Sequence, residues 1–353
     1  MNNLFNIDFS KYGISDFSIT ELDIPISYDR FLRWANANKA KSLHYLTDDR
    51  KNQRSSLKEV FPEFKSAIVF LFPYVKIVDQ PLKHKIADYV LSFLGKDYHY
   101  QLEVRLKEIG LELKKHMPNM EYKAAIDLFP ILEKDLAYRA GLGWFGKNSL
   151  LLNKKRGSYF LIGTILTNIT KKEWINPTWE DQKLETDHCG SCRACVIACP
   201  TGAINESERQ LDAEKCISNF TIEEFTSDAF VPNGYSSHSQ ELFGCDICQY
   251  VCPWNDQVKK VSYYSLPNYI QEQNKIISSK ILPNNESVEM NEWVDYLLEN
   301  SLESVEDFLT NLSNRSFKKI FLKTPFKRTG RIGLLKNVKV LIGKLKRKKK
   351  DEY

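Results

Sequence analysis

Residues 189–200 read Cys189-Gly-Ser-Cys192-Arg-Ala-Cys195-Val-Ile-Ala-Cys199-Pro200, and the chain continues Thr201-Gly202-Ala203-Ile204. Three thiols spaced two residues apart can wrap one corner of an iron–sulfur cubane. The fourth, sent away by a proline turn, ligates a neighbouring cluster. A second group, Cys245-x2-Cys248-x3-Cys252-Pro253, lacks its first cysteine, and Cys216 stands alone between the two. The chain has eight cysteines, and this register uses all of them. On that logic one cluster takes Cys189, Cys192, Cys195 and Cys252. The other takes Cys199, Cys245, Cys248 and, as the one candidate left, Cys216. Clusters of this kind move single electrons, so the chain reads as a redox protein.

Zinc and disulfides compete for the same residues. Zinc ribbons use two C-x2-C pairs, whereas this run is three plus one with a trailing Cys-Pro. Disulfides belong to exported chains, and residues 1–15 show no basic stretch followed by an apolar one. A bacterial two-cluster ferredoxin-like domain is therefore expected over residues 181–262, in a cytoplasmic protein.

With 353 residues, 42% hydrophobic and 27% charged, the chain matches an ordinary globular composition with room for several domains. No apolar run reaches the roughly 20 residues needed to span a bilayer. The net charge of +5 is unevenly spread: Arg315 to Lys350 holds fifteen Lys or Arg and no carboxylate, leaving residues 1–314 at about −8. Such a segment is either a solvated terminus or a contact for a polyanion, nucleic acid ahead of membrane lipid. Leu334, Leu335, Val338, Leu341, Ile342 and Leu345 recur at helical spacing there, an apolar side for docking on the body or on a membrane surface.

The expected class is α+β. Residues 16–60 read as mainly helical. Apolar runs at 66–73, 122–126 and 159–166 read as strands, residues 98–116 as a helix, and 130–140 as a helix with Pro130 at its start and Gly141 past its end. The alternation suggests an α/β or α+β domain over about 1–180, then the cluster domain, then a helical basic region over 263–353. Residues 170–188 read as a linker or surface loop.

Three motifs invite other readings. Gly141-Leu-Gly143-Trp-Phe-Gly146 matches G-x-G-x-x-G, but a dinucleotide fingerprint follows a strand and opens a helix, and here the order is reversed. A tight turn, or a loop whose backbone approaches something closely, remains. Asp97-x-His99-x-x-Leu102 lacks the glycine of the cobalt-ligating D-x-H-x-x-G pattern, so His99 reads as a helix-start histidine near a polar surface. Asp127 ends an apolar strand. It fits a general acid of raised pKa and the N-cap of the following helix equally well. Glu133 and Asp135 read as exposed helix charges.

These residues together resemble the epoxyqueuosine reductase family. The matching pieces are Cys189–Ile204, Cys216-Ile217-Ser218 with Thr221-Ile222-Glu223, and Cys245-Asp-Ile-Cys248-Gln through Cys252-Pro-Trp-Asn255. Upstream lie Asp97-Tyr-His99, Asp127, Glu133, Gly141-Leu-Gly-Trp-Phe-Gly-Lys-Asn148 and Gly157-Ser158, and downstream Pro325-Phe-Lys-Arg-Thr-Gly330. The resemblance implies an N-terminal α/β cobalamin-binding domain, distantly like that of reductive dehalogenases, fed by two 4Fe–4S clusters. It implies reduction of epoxyqueuosine to queuosine at the wobble position of tRNA by a monomer that takes electrons from an external donor. Asp127 matches the family's proton donor, kept protonated by hydrogen bonding in a site closed to water. Arg50, Asp127, Asn148, Ser158 and Ser218 match positions that line the corrin. This chain departs from the family at Asn219-Phe220, at Arg50-Lys-Asn-Gln-Arg54 and in a longer segment at 170–188. Two other readings are a reductive dehalogenase-like enzyme on a small molecule and a non-catalytic electron carrier.

Overall fold

A computed structural model describes residues 7–40, 42–81, 84–127, 129–174, 184–235, 240–276 and 289–351, with side chains omitted at 275–276 and 344–351. Its centre is a four-stranded sheet in the order Asp16–Glu21, Ser66–Pro73, Phe160–Thr167, Tyr122–Ala125. Every pairing in it is antiparallel, with Ile19 opposite Ile68, Val69 opposite Thr164 and Ala124 opposite Ile165. Helices and strands are mixed as expected, but the sheet makes the N-terminal region α+β rather than α/β.

The strand Asp16–Glu21 corrects the helical reading of residues 16–60. Phe17 and Ile19 enter the core on one side of the sheet with Phe70, Phe72, Leu102, Leu106 and Ile165, whereas Ser18 and Thr20 are also buried. With both faces covered, the strand loses the polar alternation that marks a half-exposed one. The second side packs Val69, Leu71, Leu166, Leu136 and Leu142. The helix Tyr98–His116 forms as expected, its amide at His99 accepted by the Asp97 carboxylate, which caps it.

The chain between Val75 and Leu94 leaves the sheet to join a further core. There Ile77, Val90 and Leu91 meet Phe220 and Phe243 of the cysteine-bearing region and Leu297, Val305, Phe326, Leu334 and Val338 of the C-terminal helices. The terminal helix Phe326–Asp351 is broken at Gly330 (φ 72°). Its apolar stripe therefore docks on the body: Leu334, Val338, Leu341 and Ile342 are buried. The side chain of Leu345 and those of the last lysines lie outside the described residues, as do residues 175–183 of the expected linker. No described helix is long and apolar enough to cross a membrane.

Candidate active site and electron path

All eight cysteines are free thiols. The short helices Ala194–Ala198 and Ile247–Tyr250, one in each motif, pack together. Burial pushes the Cys252 thiol up to about 11, and Cys189, Cys195 and Cys192 beside it push the same way. Cys195 is raised by burial, with Cys189 and Cys192 adding. Cys248 is raised by burial with Cys216, Cys195 and Cys199 close by, and Cys245 by burial with Cys248 and Cys216 near. The buried thiols of both motifs thus lie within one another's reach, Cys195 acting on Cys252 and on Cys248 alike. Backbone amides point at these sulfurs: Val196 at Cys195, Ser218 and Asn219 at Cys216, Ile247 at Cys245, Trp254 at Cys252. The Ala203 amide lies 3.4 Å from Cys199 Sγ. Crowded buried thiols ionise only against positive charge, and iron with amide donors supplies it. The donor set fits two iron–sulfur clusters.

The loop at 141–148 braces the first motif. The buried Lys147 donates to the carbonyls of Gly190 (2.8 Å) and Cys192 (2.9 Å) and pairs with Glu206. Trp144 packs edge-on against Trp254 at 4.8 Å, in a small core with Leu152 and Cys252. A Cβ on Gly143 would fall 2.1 Å from the Leu152 carbonyl oxygen, the close approach expected of this loop. Asn148 is 5% exposed, and its Nδ2 is buried with no acceptor. That orphaned donor suits an amide or carbonyl on a ligand.

Beyond this loop a group of titratable side chains meets around Asp127. Asp127 holds φ 46°, a left-handed conformation that Asp tolerates better than most residues, and its amide donates to Glu133 Oε1 at 2.6 Å. It does not cap the helix Glu133–Arg139, whose N-cap is Leu132, so the capping alternative falls. His99 Nε2 stands 4.0 Å from Asp127 Oδ2, and His99 Nδ1 lies 2.7 Å from Asp97 Oδ1. Burial opposes the charged imidazole, but Asp127 and Asp97 together outweigh it and raise His99 to about 9. Burial, with Asp127 adding, raises Glu133 to about 8. The expectation of exposed charges at Glu133 and Asp135 is thus corrected. Asp135 is fully buried, accepting from the Ser27 amide at 2.7 Å and pairing with Arg139.

Lys134 reaches solvent yet is crowded by protein, which lowers its pKa. It feels Asp127 on one side and Cys248 on the other, and its ammonium donates to the Ser149 carbonyl at 3.0 Å. Tyr45, Arg54 and Arg328 also lie within electrostatic reach of Asp127.

Residues 188–255 match the family model described as 4Fe-4S double cluster binding domain, and residues 54–127 match Epoxyqueuosine reductase QueG, DUF1730. An epoxyqueuosine reductase of Leadbetterella byssophila is 35% identical over 70% of this chain and 76% of its own length. That of Salmonella typhimurium is 33% identical over 94% of this chain and 77% of its own. The chain belongs to the epoxyqueuosine reductase family. It is accordingly an oxidoreductase. The structure of the Streptococcus thermophilus epoxyqueuosine reductase superposes with a TM-score of 0.71 at 25% identity, covering 96% of this chain and 79% of that one. A structure of epoxyqueuosine reductase with an epoxyqueuosine-modified tRNA-Tyr stem loop superposes with a TM-score of 0.70 at 26% identity, over 96% and 80% of the two chains.

In this reductase the other family-matched positions take different roles. Arg50 is exposed and forks onto Asp48, its Nη2 2.5 Å from Oδ2, on the segment that carries Tyr45 and Arg54. The Ser218 amide serves the Cys216 sulfur. Ser158 is turned inward: its amide donates to Asn255 Oδ1 (2.7 Å), its hydroxyl donates to Gln249 Oε1 (2.8 Å) and accepts from Asn255 Nδ2 (3.0 Å). Its side chain ties the sheet region to the Cys-Pro-Trp-Asn turn instead of lining a cavity. His99, Glu133 and Lys134 are the site groups that sequence reasoning missed. The recoverable signal was His99 beside Asp97, on a helix start in the family's order.

Proposed function

We propose that this chain reduces epoxyqueuosine in tRNA to queuosine, with electrons passing through two 4Fe–4S clusters to cobalamin and Asp127 delivering a proton. Removing the epoxide oxygen as water consumes two electrons and two protons. The observation that carries the reading is Lys134, which feels both Asp127 and the cysteine Cys248. Lys134 thus links Asp127 to a cluster site, and on this reading the space between them is the active-site cleft.

On this reading Cys189, Cys192, Cys195 and Cys252 hold one cluster, and Cys199, Cys216, Cys245 and Cys248 the one nearer the cleft. Cobalamin supplies the reducing centre at which the epoxide opens. Asn148, with its unused Nδ2, and the segment bearing Arg50 and Arg54 would hold it, with Ser218 at the margin and Ser158 acting through the turn behind it. Asp127 protonates the oxygen. His99, held by Asp97, keeps a proton next to Asp127 and resupplies it, so that Asp127 relays each of the two protons in turn.

The basic C-terminal region supports a polyanionic substrate. Lys318, Lys319, Lys323, Lys327 and Arg328 are exposed, and the Lys323 carbonyl accepts from the Asp97 amide at 2.7 Å, so this rim adjoins the cleft. We assign residues 1–180 to cobalamin and catalysis, 181–262 to the clusters and 263–353 to RNA contact, in a cytoplasmic monomer.

The test is anaerobic incubation of the reconstituted protein with tRNA carrying epoxyqueuosine, followed by nucleoside analysis. Queuosine is the expected product. Its absence from protein loaded with both clusters and cobalamin would overturn the proposal.

A further inference from the structure

The reduction needs an electron source, and one surface beside the cluster motifs carries charge that the fold itself does not use. The strands Lys76–Val78 and Lys260–Ser262 pair in parallel and set Lys76 directly beside Lys260. Like charges in neighbouring register positions destabilise a strand pair. Lys259 precedes Lys260, its carbonyl accepting from the Lys76 amide at 3.0 Å. Lys85 joins them across one ring: the ammonium groups of Lys76 and Lys85 lie 4.7 Å and 5.8 Å from the centroid of Tyr250. Among the described residues none of these four lysines forms an ion pair with a carboxylate. Of the nearby acids, Asp246 and Glu241 are buried beneath the surface, whereas Asp79 and Asp256, three residues from Lys76 and Lys259, are exposed and, among the described residues, form no ion pair with these lysines.

Tyr250 lies two residues from both Cys248 and Cys252, and the Lys76 ammonium donates to its carbonyl at 3.2 Å. Val251, next along, is exposed, a small apolar contact at the edge of the basic ring. An apolar spot beside the cluster motif, with four lysines against two exposed carboxylates around it, is what a transient electron-transfer partner needs. The charge steers encounter, and the short apolar contact allows fast release.

We infer that Lys76, Lys85, Lys259 and Lys260 around Tyr250 and Val251 form the docking surface for an acidic one-electron carrier protein. This inference rests on the proposed role of the clusters. It commits to a protein donor rather than to RNA because the lysines border the cysteine motif rather than the rim at Lys323 to Arg328.

The test compares wild type with Lys85→Glu/Lys260→Glu, both as the full chain with reconstituted clusters. Cluster bleaching is followed by stopped flow, with reduced flavodoxin as the protein donor and dithionite as a donor that needs no docking. The double variant is expected to lose at least tenfold in the second-order rate with flavodoxin, and most of its salt dependence, while the dithionite rate is unchanged. An unchanged flavodoxin rate would overturn the inference. So would equal slowing with dithionite, which would mean cluster damage, or a loss of tRNA affinity with the flavodoxin rate preserved. Failure of the clusters to transfer electrons at all would appear in the dithionite arm, separately from failure of docking.

Discussion

His99 is flanked by two carboxylates, with Nε2 4.0 Å from Asp127 Oδ2 and Nδ1 2.7 Å from Asp97 Oδ1. An imidazole so placed stays charged to about pH 9, within electrostatic reach of Asp127. The 2.6 Å bond from the Asp127 amide to Glu133 holds the backbone that presents this carboxyl.

Replacing Asp127 with Asn keeps the shape and removes the transferable proton. We expect turnover to fall by roughly 10²–10⁴, the range of a positioned general acid, with cluster absorption and bound corrinoid unchanged. Single-turnover assays on modified tRNA measure it. Full activity would remove Asp127 from the mechanism.

The pH dependence of stability divides between two groups. His99 is raised in the fold from 6.5 to about 9, so its stabilising contribution is complete below pH 6.5 and disappears as pH climbs through 9. Glu133 is raised from 4.5 to about 8. Above pH 4.5 the unfolded chain ionises while the folded one does not, and stability is lost progressively up to pH 8. Thermal unfolding across pH 4–10 should therefore find Glu133→Gln gaining on wild type from pH 4.5 upward. His99→Gln should be worse than wild type at low pH and equal to it above 9. Parallel curves for all three proteins would show that neither group titrates as described.

The two-cluster domain was legible because cluster ligation imposes a fixed local spacing, and residues 188–255 match a 4Fe-4S double cluster domain. The strands at 66–73 and 159–166 and the helix at 98–116 followed from apolar runs and period. What failed was long-range. Asp16–Glu21 pairs with a strand some fifty residues away, and its buried Ser18 and Thr20 look like surface residues in sequence. Glu133 read as solvated because the residues that bury it come from other segments. The pairing of Lys76 with Lys260 had no local mark at all.

Cys216 stands apart from both motifs in sequence, yet Cys199 acts on it, and Cys245 and Cys248 both feel it. Cys216→Ala should lower iron content from eight toward four per chain, the difference between two four-iron clusters and one. Electron paramagnetic resonance of the reduced protein should then lose the spin–spin coupling between clusters and keep one signal. Loss of both signals together would mean that the two sets are not independent.

Lys147 holds the first motif from behind through the carbonyls of Gly190 and Cys192 and the Glu206 carboxylate. Met fills much of the same volume but offers no donor. Lys147→Met leaves two carbonyls on the Cys189–Cys192 loop without this partner, and Glu206 with only Arg193 at 2.7 Å. Gly190 and Cys192 are exposed and Glu206 reaches solvent, so water can satisfy the acceptors left behind and the loss is mainly of positioning. Because two of the three acceptors lie on this loop and Glu206 is paired with Arg193 just after it, the loss should fall on the cluster proposed for Cys189, Cys192, Cys195 and Cys252. Oxygen exposure should bleach that cluster first in the variant, while the one near the cleft persists. Iron release kinetics followed by visible absorption distinguish the two. Simultaneous release at the wild-type rate would show that the clamp does not govern the site.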